Sequence, residues 1–441
     1  MSPTALTSAT GALALLVAGL AQPHPVRAQQ WTANEAAAEA LANHPAIQQA
    51  GAALRGAAAG ADAARSSYLP QVQFGASAVR FEEPMVVAPL HAFNPMAPPT
   101  FSDGLVRSRI GLGFTLFDGG VRGGALSAAR ALDTGAEAGK AAVEAQIIAA
   151  TVEAYARAAT AALVVEASQR RRRALVAEVS RADQSFEAGA SPRVETLRAG
   201  AALAQADADQ ASAEASLASA RRILQRLTGR GTLPSVLPVP GVVLADPDRP
   251  VDSDAPALRG AQAALSAAEA RHRAARGAFL PRIEVASGVD QYGALDESFS
   301  YEWQAGLQVS LPIFMGGRRF AETRQRAAEV DEARAGLARV RLEAENGLDQ
   351  ARAALTAARG RVAALTSAEA QFTEVVRVEA LALSEGSGIQ SDLLSAEASL
   401  FGVRAELARA RGDVVTAAVA IARANGTLSL DWLGDHLETS R

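Results

Sequence analysis

Hydrophobic and polar positions follow two different periods along this chain, and the switch between them happens twice. In 106–116, Val106, Ser108, Ile110, Leu112, Phe114 and Leu116 share one parity, while Arg107, Arg109, Gly111, Gly113 and Thr115 share the other. A period of two puts one set on each face of a strand. In 301–313, Tyr301, Trp303, Ala305, Leu307, Val309, Leu311 and Ile313 alternate with Glu302, Gln304, Gly306, Gln308, Ser310 and Pro312. Val72, Phe74, Ala76 and Ala78 mark a weaker strand, and Ile283, Val285 and Val289 a fourth. The expected strands are about 71–81, 106–117, 282–291 and 301–314. Four strands of roughly 9 to 12 residues have the length to cross a bilayer at a tilt, apolar side chains toward lipid and polar ones toward a lumen. A soluble antiparallel sheet with one face on a core would alternate in the same way.

Elsewhere the period is helical. From Leu393 through Ala396, Leu400, Val403, Leu407, Ala410, Val414, Ala417 and Ile421 to Ala424, steps of three and four alternate without a fault. That is a sustained heptad seam. Thr196, Ala199, Leu203, Ala206, Gln210, Ala213, Leu217, Ala220, Leu224 and Leu227 repeat it with one polar break at Gln210, and Leu348, Ala351, Leu355, Ala358, Val362 and Leu365 continue it in the preceding helix. Alternating Ala with larger residues lets many helices pack closely in a wall. Thr32-Ala33-Asn34-Glu35 has the capping-box form that starts a helix. His44-Pro45 interrupts that helix, and the next runs to about Tyr68 before Pro70. Each long helix turns at Gly. Gly189 suits a left-handed helix end, with Ser191 as cap and Pro192 as first residue of the next helix, and Glu385-Gly386-Ser387-Gly388-Ile389 is expected to turn more loosely. Gly120 to Ala188 is 69 residues, about 100 Å of helix at 1.5 Å each, so the turns lie far from the strands.

These patterns are duplicated. A shift of 211 places Pro45-Ala46-Ile47 on Pro256-Ala257-Leu258 and Tyr68-Leu69-Pro70 on Phe279-Leu280-Pro281. A shift of 197 places Phe117-Asp118-Gly119-Gly120 on Phe314-Met315-Gly316-Gly317, Gly189 on Gly386, Glu195 on Asp392 and Gly229 on Gly426. The difference of 14 residues falls in the Pro-rich loop around Pro84–Pro99 of the first copy. The chain therefore divides into a leader at 1–28, a first repeat at 29–229 whose helical hairpin is 120–229, a connector at 230–255, a second repeat at 256–426 with hairpin 317–426, and a tail at 427–441. Four strands leave open edges, which hydrocarbon does not tolerate, so a spanning barrel requires several chains. Three would give 12 strands and two would give eight; the sequence does not choose between them.

Composition narrows the function. The 441 residues carry 43 Lys+Arg against 47 Asp+Glu, a net of −4, so no basic field exists to hold nucleic acid. Zero Cys excludes disulfides, thiolate nucleophiles and thiolate metal sites. At 5% aromatic residues the chain has few bulky groups for a compact core. The apolar stretch Ala12–Leu20 before Val26-Arg27-Ala28 reads as an export signal, although it lacks the usual basic start. No run of 18 apolar residues follows it, so no transmembrane helix is expected. The five His residues, at 24, 44, 91, 272 and 436, are dispersed and lack ligand spacing. Arg170–Arg173 form a basic run expected to be a solvated or partner-facing patch. No cluster of nucleophile, base and orienter is visible, so neither an enzyme nor a cofactor is expected. A periplasmic coiled-coil adaptor or scaffold is the alternative to a duct, but it predicts one hairpin with flanking soluble β domains.

Two copies of helix, Leu-Pro, strand, loop, strand, Phe-x-Gly-Gly, long helix, Gly turn with an acidic residue six positions later, and long helix resemble the TolC-like outer-membrane efflux proteins. The resemblance spans about 32–426 and includes Asn43-His44-Pro45-Ala46, Leu69-Pro70, Leu280-Pro281 and Phe314-Met315-Gly316-Gly317. It implies a mixed α/β membrane protein whose tandem repeats give four transmembrane strands, a 12-stranded barrel shared in a homotrimer, and a long antiparallel coiled-coil tunnel in the periplasm. It also implies outer-membrane lipid around the barrel, an inner-membrane transporter, and a periplasmic adaptor docking at Gly189, Ser191, Gly386, Ser387 and Gly388. Glu195 and Asp392 fall on the family's acidic gate positions, about a turn and a half into their helices. A ring of such carboxylates favours cations and resists leakage. Ser395 and Arg198 stand where some relatives carry a further acidic residue.

Overall fold

The computed structural model describes residues 31–87, 95–96, 101–244, 246–294 and 299–439; the expected leader at 1–28 and much of the Pro84–Pro99 loop lie outside them. The chain begins with α1 (Ala33–Asn43) and α2 (Pro45–Ser66). The capping box at Thr32 and Glu35 is formed, and the Ala46 amide donates to His44 Nδ1 at 3.2 Å. β1 (Gln71–Val86) and β2 (Phe101–Phe117) follow, then the hairpin of α3 (Val121–Glu187) and α4 (Arg193–Thr228). After the short β3 (Pro240–Val242) the plan repeats as α5 (Pro256–Gly277), β4 (Arg282–Gly293), β5 (Ser300–Ser310), α6 (Arg318–Ser384) and α7 (Gln390–Asn425). The tail folds back as α8 (Leu430–His436) and β6 (Leu437–Thr439), and β6 pairs antiparallel with β3 of the connector.

The four long strands form one antiparallel sheet in the order β1-β2-β4-β5, which leaves β1 and β5 as open edges. β1 runs past the expected limit through Pro84, where the β1–β2 register shifts between Arg80 and Met85; a proline is accommodated at such an irregularity on an edge strand. β5 stops at Ser310, short of the expected 314.

Below the sheet the helices form a layer with α3 and α7 at its centre. Eighteen residues of α3 and 16 of α7 are buried, against five of 67 in α6, five of 36 in α4 and none in α2. The flanks α2/α4 and α6 are therefore unpartnered, on the same sides as the free edges of β1 and β5. The main core lies midway, where Trp31, Ile148, Val152, Tyr155, Leu224, Leu237, Val415, Val419 and Leu433 cluster. Tyr155 is fully buried and its hydroxyl donates to Trp31 O at 2.7 Å. The most apolar 18-residue window of α3 reaches a mean hydropathy of 1.4, enough to cross a membrane by composition, but 56% of it is buried, as expected of the central helix of a bundle.

Sheet and helices meet at a device that appears in both repeats. Paired left-handed glycines, Gly119-Gly120 and Gly316-Gly317, turn each strand into its long helix. An arginine in the first turn then reaches back to the end of the preceding helix. Arg122 Nη1 donates to Ser67 O at 3.1 Å and Arg319 Nη1 to Ala278 O at 3.2 Å. Each guanidinium lies over the ring of the next residue, Arg122 at 4.8 Å from Tyr68 and Arg319 at 5.0 Å from Phe279. Both sets of positions obey the duplication shifts of 211 and 197. Arg122 is additionally held by Asp118 at 3.0 Å, and Met315 fills that place in the second copy. Arg122→Ala should therefore lower stability by about 1–3 kcal/mol, through a lost charged hydrogen bond and ring contact. Thermal unfolding of the purified variant checks this, with Arg319→Ala expected to cost a similar amount, because Arg319 Nη2 also donates to Pro312 O and Ile313 O.

Candidate functional site

Two regions carry the chemistry: the faces of the sheet and the far ends of the hairpins. Across the sheet the register aligns Phe74 with Ile110, Ile110 with Val289 and Val289 with Trp303. Val72, Leu112, Val285, Leu307 and Val309 continue this face. It is uncovered, with Phe74 72% and Trp303 77% exposed. A soluble sheet would bury such a face on a core. The opposite face is polar and internally neutralised. Asp290, only 1% exposed, accepts from Arg107 Nη2 at 2.9 Å and from Gln304 Nε2 at 3.2 Å, with Arg109 Nε 3.9 Å away. Thr115 Oγ1 donates to Glu284 at 3.1 Å. Gly288 leaves room for this layer: a Cβ there would lie 3.1 Å from Ile110 O and 3.3 Å from the Arg109 side chain.

Both hairpins turn through five residues, 188–192 and 385–389. Gly189 (φ 72°) and Gly386 (φ 75°) take the left-handed conformation. The Ala190 amide donates to Ser185 O at 2.8 Å and the Ser387 amide to Ala382 O at 3.0 Å. The second turn is thus as tight as the first, contrary to the looser turn expected from its glycines. Gly388 is needed for close approach, because a Cβ would come within 2.7 Å of the Leu383 amide. Ser191 does not cap α4. Extended Pro192 occupies the cap position and the Ser191 hydroxyl is buried without a hydrogen-bond partner.

Glu195 and Asp392 lie in the first turn of α4 and α7, nearer the helix starts than the expected turn and a half. Glu195 is half-buried. Asp392 is exposed and accepts from Ser391 Oγ at 3.3 Å; Ser395 and Arg198 are exposed too. The two carboxylates stand at different heights. Thr196 Oγ1 donates to Ala182 O, and Gln390 Nε2 donates to Glu178 Oε1. Counted along α3, these pairings and the approach of Gly412 to Thr160 put Asp392 about 5–10 Å nearer the sheet than Glu195 at 1.5 Å per residue, so the second hairpin ends short of the first.

Sequence reasoning passed over the seam between α3 and α7. Glu178 is 4% and Gln390 5% exposed, and their bond of 3.0 Å joins the two hairpins. Arg181 also pairs with Glu178. The signal was present: Leu175, Glu178 and Ala182 follow the three-and-four spacing of a buried stripe, with a charge inside it. Arg170–Arg173 is largely solvated, as expected, and carries its own counter-charges. Arg171, 12% exposed, pairs with Asp209 at 2.8 Å and lies over Phe401; Arg172 pairs with Asp207 at 2.6 Å and Arg170 with Glu166. Among the described residues no group of three or more His, Asp or Glu could hold a metal ion.

The chain matches the family model described as outer membrane efflux protein over residues 36–230 and 252–427, which brackets the connector between the repeats. It is 28% identical over 250 residues to the outer membrane efflux protein BepC of Brucella suis, covering 53% of this chain and 54% of that protein. It is 29% identical to protein CyaE of Bordetella pertussis, covering 73% of this chain and 68% of that one. The aligned region thus spans about half of BepC and two thirds of CyaE. The outer membrane protein VceC of Vibrio cholerae shares the fold, with a TM-score of 0.77 at 20% identity over 89% of this chain and 96% of that one.

Proposed function

Since the chain belongs to the outer membrane efflux protein family, we propose that it is the outer-membrane exit duct of a tripartite efflux or type I secretion system. Three copies share a 12-stranded barrel in the outer membrane, and their helical hairpins form a tunnel through the periplasm. The observation that carries this is the stacking of incomplete edges: β1 and β5 lack partners directly above helical flanks that lack them too. Unpaired edge amides cost several kcal/mol each in hydrocarbon, and a head-to-tail ring closes both levels at once. The uncovered face carrying Phe74, Trp303 and Leu307 then meets lipid, and the Asp290 face lines the lumen. Conduction is passive. Energy comes from an inner-membrane transporter, reached through a periplasmic adaptor that docks at the turns around Gly189, Ser191, Gly386, Ser387 and Gly388.

Glu195 and Asp392 act as the periplasmic gate in two tiers of three carboxylates each. Neutralising a tier lowers the local cation concentration and the barrier to leakage. Asp392→Ala is expected to raise single-channel conductance or lower cation preference in planar bilayers, and Glu195→Ala to act in the same direction. Unchanged values for both would remove the gate assignment. For the duct itself, membrane fractionation with a heat-sensitive oligomer band on gels is the test; a purely soluble monomer would overturn it.

A further inference from the structure

We propose that Glu178, Gln390 and Glu397 form a proton-dependent latch between the two hairpins, which positions the start of α7 and with it Asp392. This rests on the duct proposed above and adds which groups hold its end closed. The Gln390–Glu178 bond, between residues 212 apart in sequence, is the one fully buried bond between side chains among the described residues. Glu178 is satisfied at both oxygens, by Gln390 at Oε1 and by Arg181 at Oε2. Glu397, two turns further along α7, is not: its Oε2 is closed to solvent and has no hydrogen-bond partner, as is Gln390 Oε1. A carboxylate in that position favours its neutral form.

The surroundings of Glu397 supply no hydrogen bond to that oxygen. A cavity of about 180 Å³ beside it is lined by Arg170, Arg171, Val376, Phe401 and Arg404. Each arginine already has a carboxylate partner, Arg170 with Glu166, Arg171 with Asp209 of α4 and Arg404 with Glu369 of α6 at 3.0 Å, and the Arg171 Nε, buried without a partner, does not reach the Glu397 oxygen. Arg181 of α3 is committed to Glu178. Burial first, and then the charge of Glu178, push the Glu397 carboxyl above the ordinary carboxylate range, and the opposing attraction of Arg171 and Arg181 is smaller. The sign follows. A group whose pKa is higher in the closed seam than in water stabilises the seam fully at pH below its free value, and that contribution is lost as pH rises through the raised value. The latch is therefore tight in acid and loosens toward neutral and alkaline pH.

Hydrogen exchange of the α7 start, residues 390–397, in full-length protein tests this whether or not the protein conducts. Glu397→Gln keeps the side chain permanently neutral. At pH 4, below the free carboxylate value, wild type and Glu397→Gln should exchange alike, and at pH 8 wild type should exchange several-fold faster. In planar bilayers wild-type conductance should rise over the same range, Glu397→Gln should stay low throughout, and Gln390→Ala should be high throughout. Equal exchange of wild type and Glu397→Gln at both pH values overturns the latch, as does an unaltered pH profile of conductance in Glu397→Gln. Differing exchange without conductance in any variant leaves the latch standing and overturns the duct instead.

Discussion

Gly119→Ala should prevent accumulation of folded protein, whereas the same change at its duplicate, Gly316→Ala, should leave the single chain folded and act only where a neighbouring copy packs on that flank. Both glycines have positive φ, 68° and 59°, so each alanine carries the left-handed penalty of about 1–2 kcal/mol. Their surroundings differ. A Cβ on Gly119 would stand 2.2 Å from Gly277 O and 2.8 Å from the Leu280 Cβ, while a Cβ on Gly316 meets nothing within 4 Å. The contact is mutual, since a Cβ on Gly277 would lie 2.4 Å from Gly119 O. Two backbones touch where the first strand pair joins the second repeat's helix, and neither can yield without moving the sheet over the helices. A clash with backbone belongs among the exceptional losses of more than about 4 kcal/mol. Membrane yield and thermal unfolding of the two variants, measured side by side, check the contrast. Equal losses of thermal stability in the dissociated monomers would mean that the junction is not packed in this way.

Leu307→Arg and Gln308→Arg make the second contrast. These neighbours on β5 point to opposite faces, with Leu307 paired with Val285 and Gln308 with Glu284. On the lipid side an arginine near the bilayer midplane costs about 2–4 kcal/mol, and three copies would incur it together in a closed ring. On the lumen side the guanidinium faces water beside Glu284. Leu307→Arg should therefore strongly reduce the heat-sensitive oligomer in the outer-membrane fraction, and Gln308→Arg should leave it near wild-type level. Indifference to both changes would place this sheet outside the membrane.

Local order was legible because each element announces itself through its own period. The alternation from Val106 to Leu116 and from Tyr301 to Ser310 located β2 and β5, and the seam from Leu393 to Ala424 located α7. The landmark glycines and prolines fixed the turns to within a residue or two. What stayed hidden depends on partners far away in sequence. Nothing near residue 178 says that Gln390 will lie against it, and nothing in 437–439 says that Pro240–Val242 will supply a strand partner. Ser191 was misjudged as a cap because the turn closes through backbone bonds from Ala190 and Ser191 to Ser185, leaving the extended cap conformation to Pro192. Arg170–Arg173 is solvated as expected, with only Arg171 partly buried, but its pairing with Asp207 and Asp209 was hidden because they lie on the return helix of the hairpin. The arginine clasp beneath the sheet could have been read in advance: Tyr68 with Arg122 and Phe279 with Arg319 are aromatic and cationic residues preserved in both copies.

The unequal reach of the two hairpins shapes the mouth they would make together. Three long fingers alternating with three short ones give a crenellated rim, notched by about 5–10 Å at 1.5 Å per residue. A partner docking at all six turns must therefore reach two depths, so copies of one partner cannot make six equivalent contacts there.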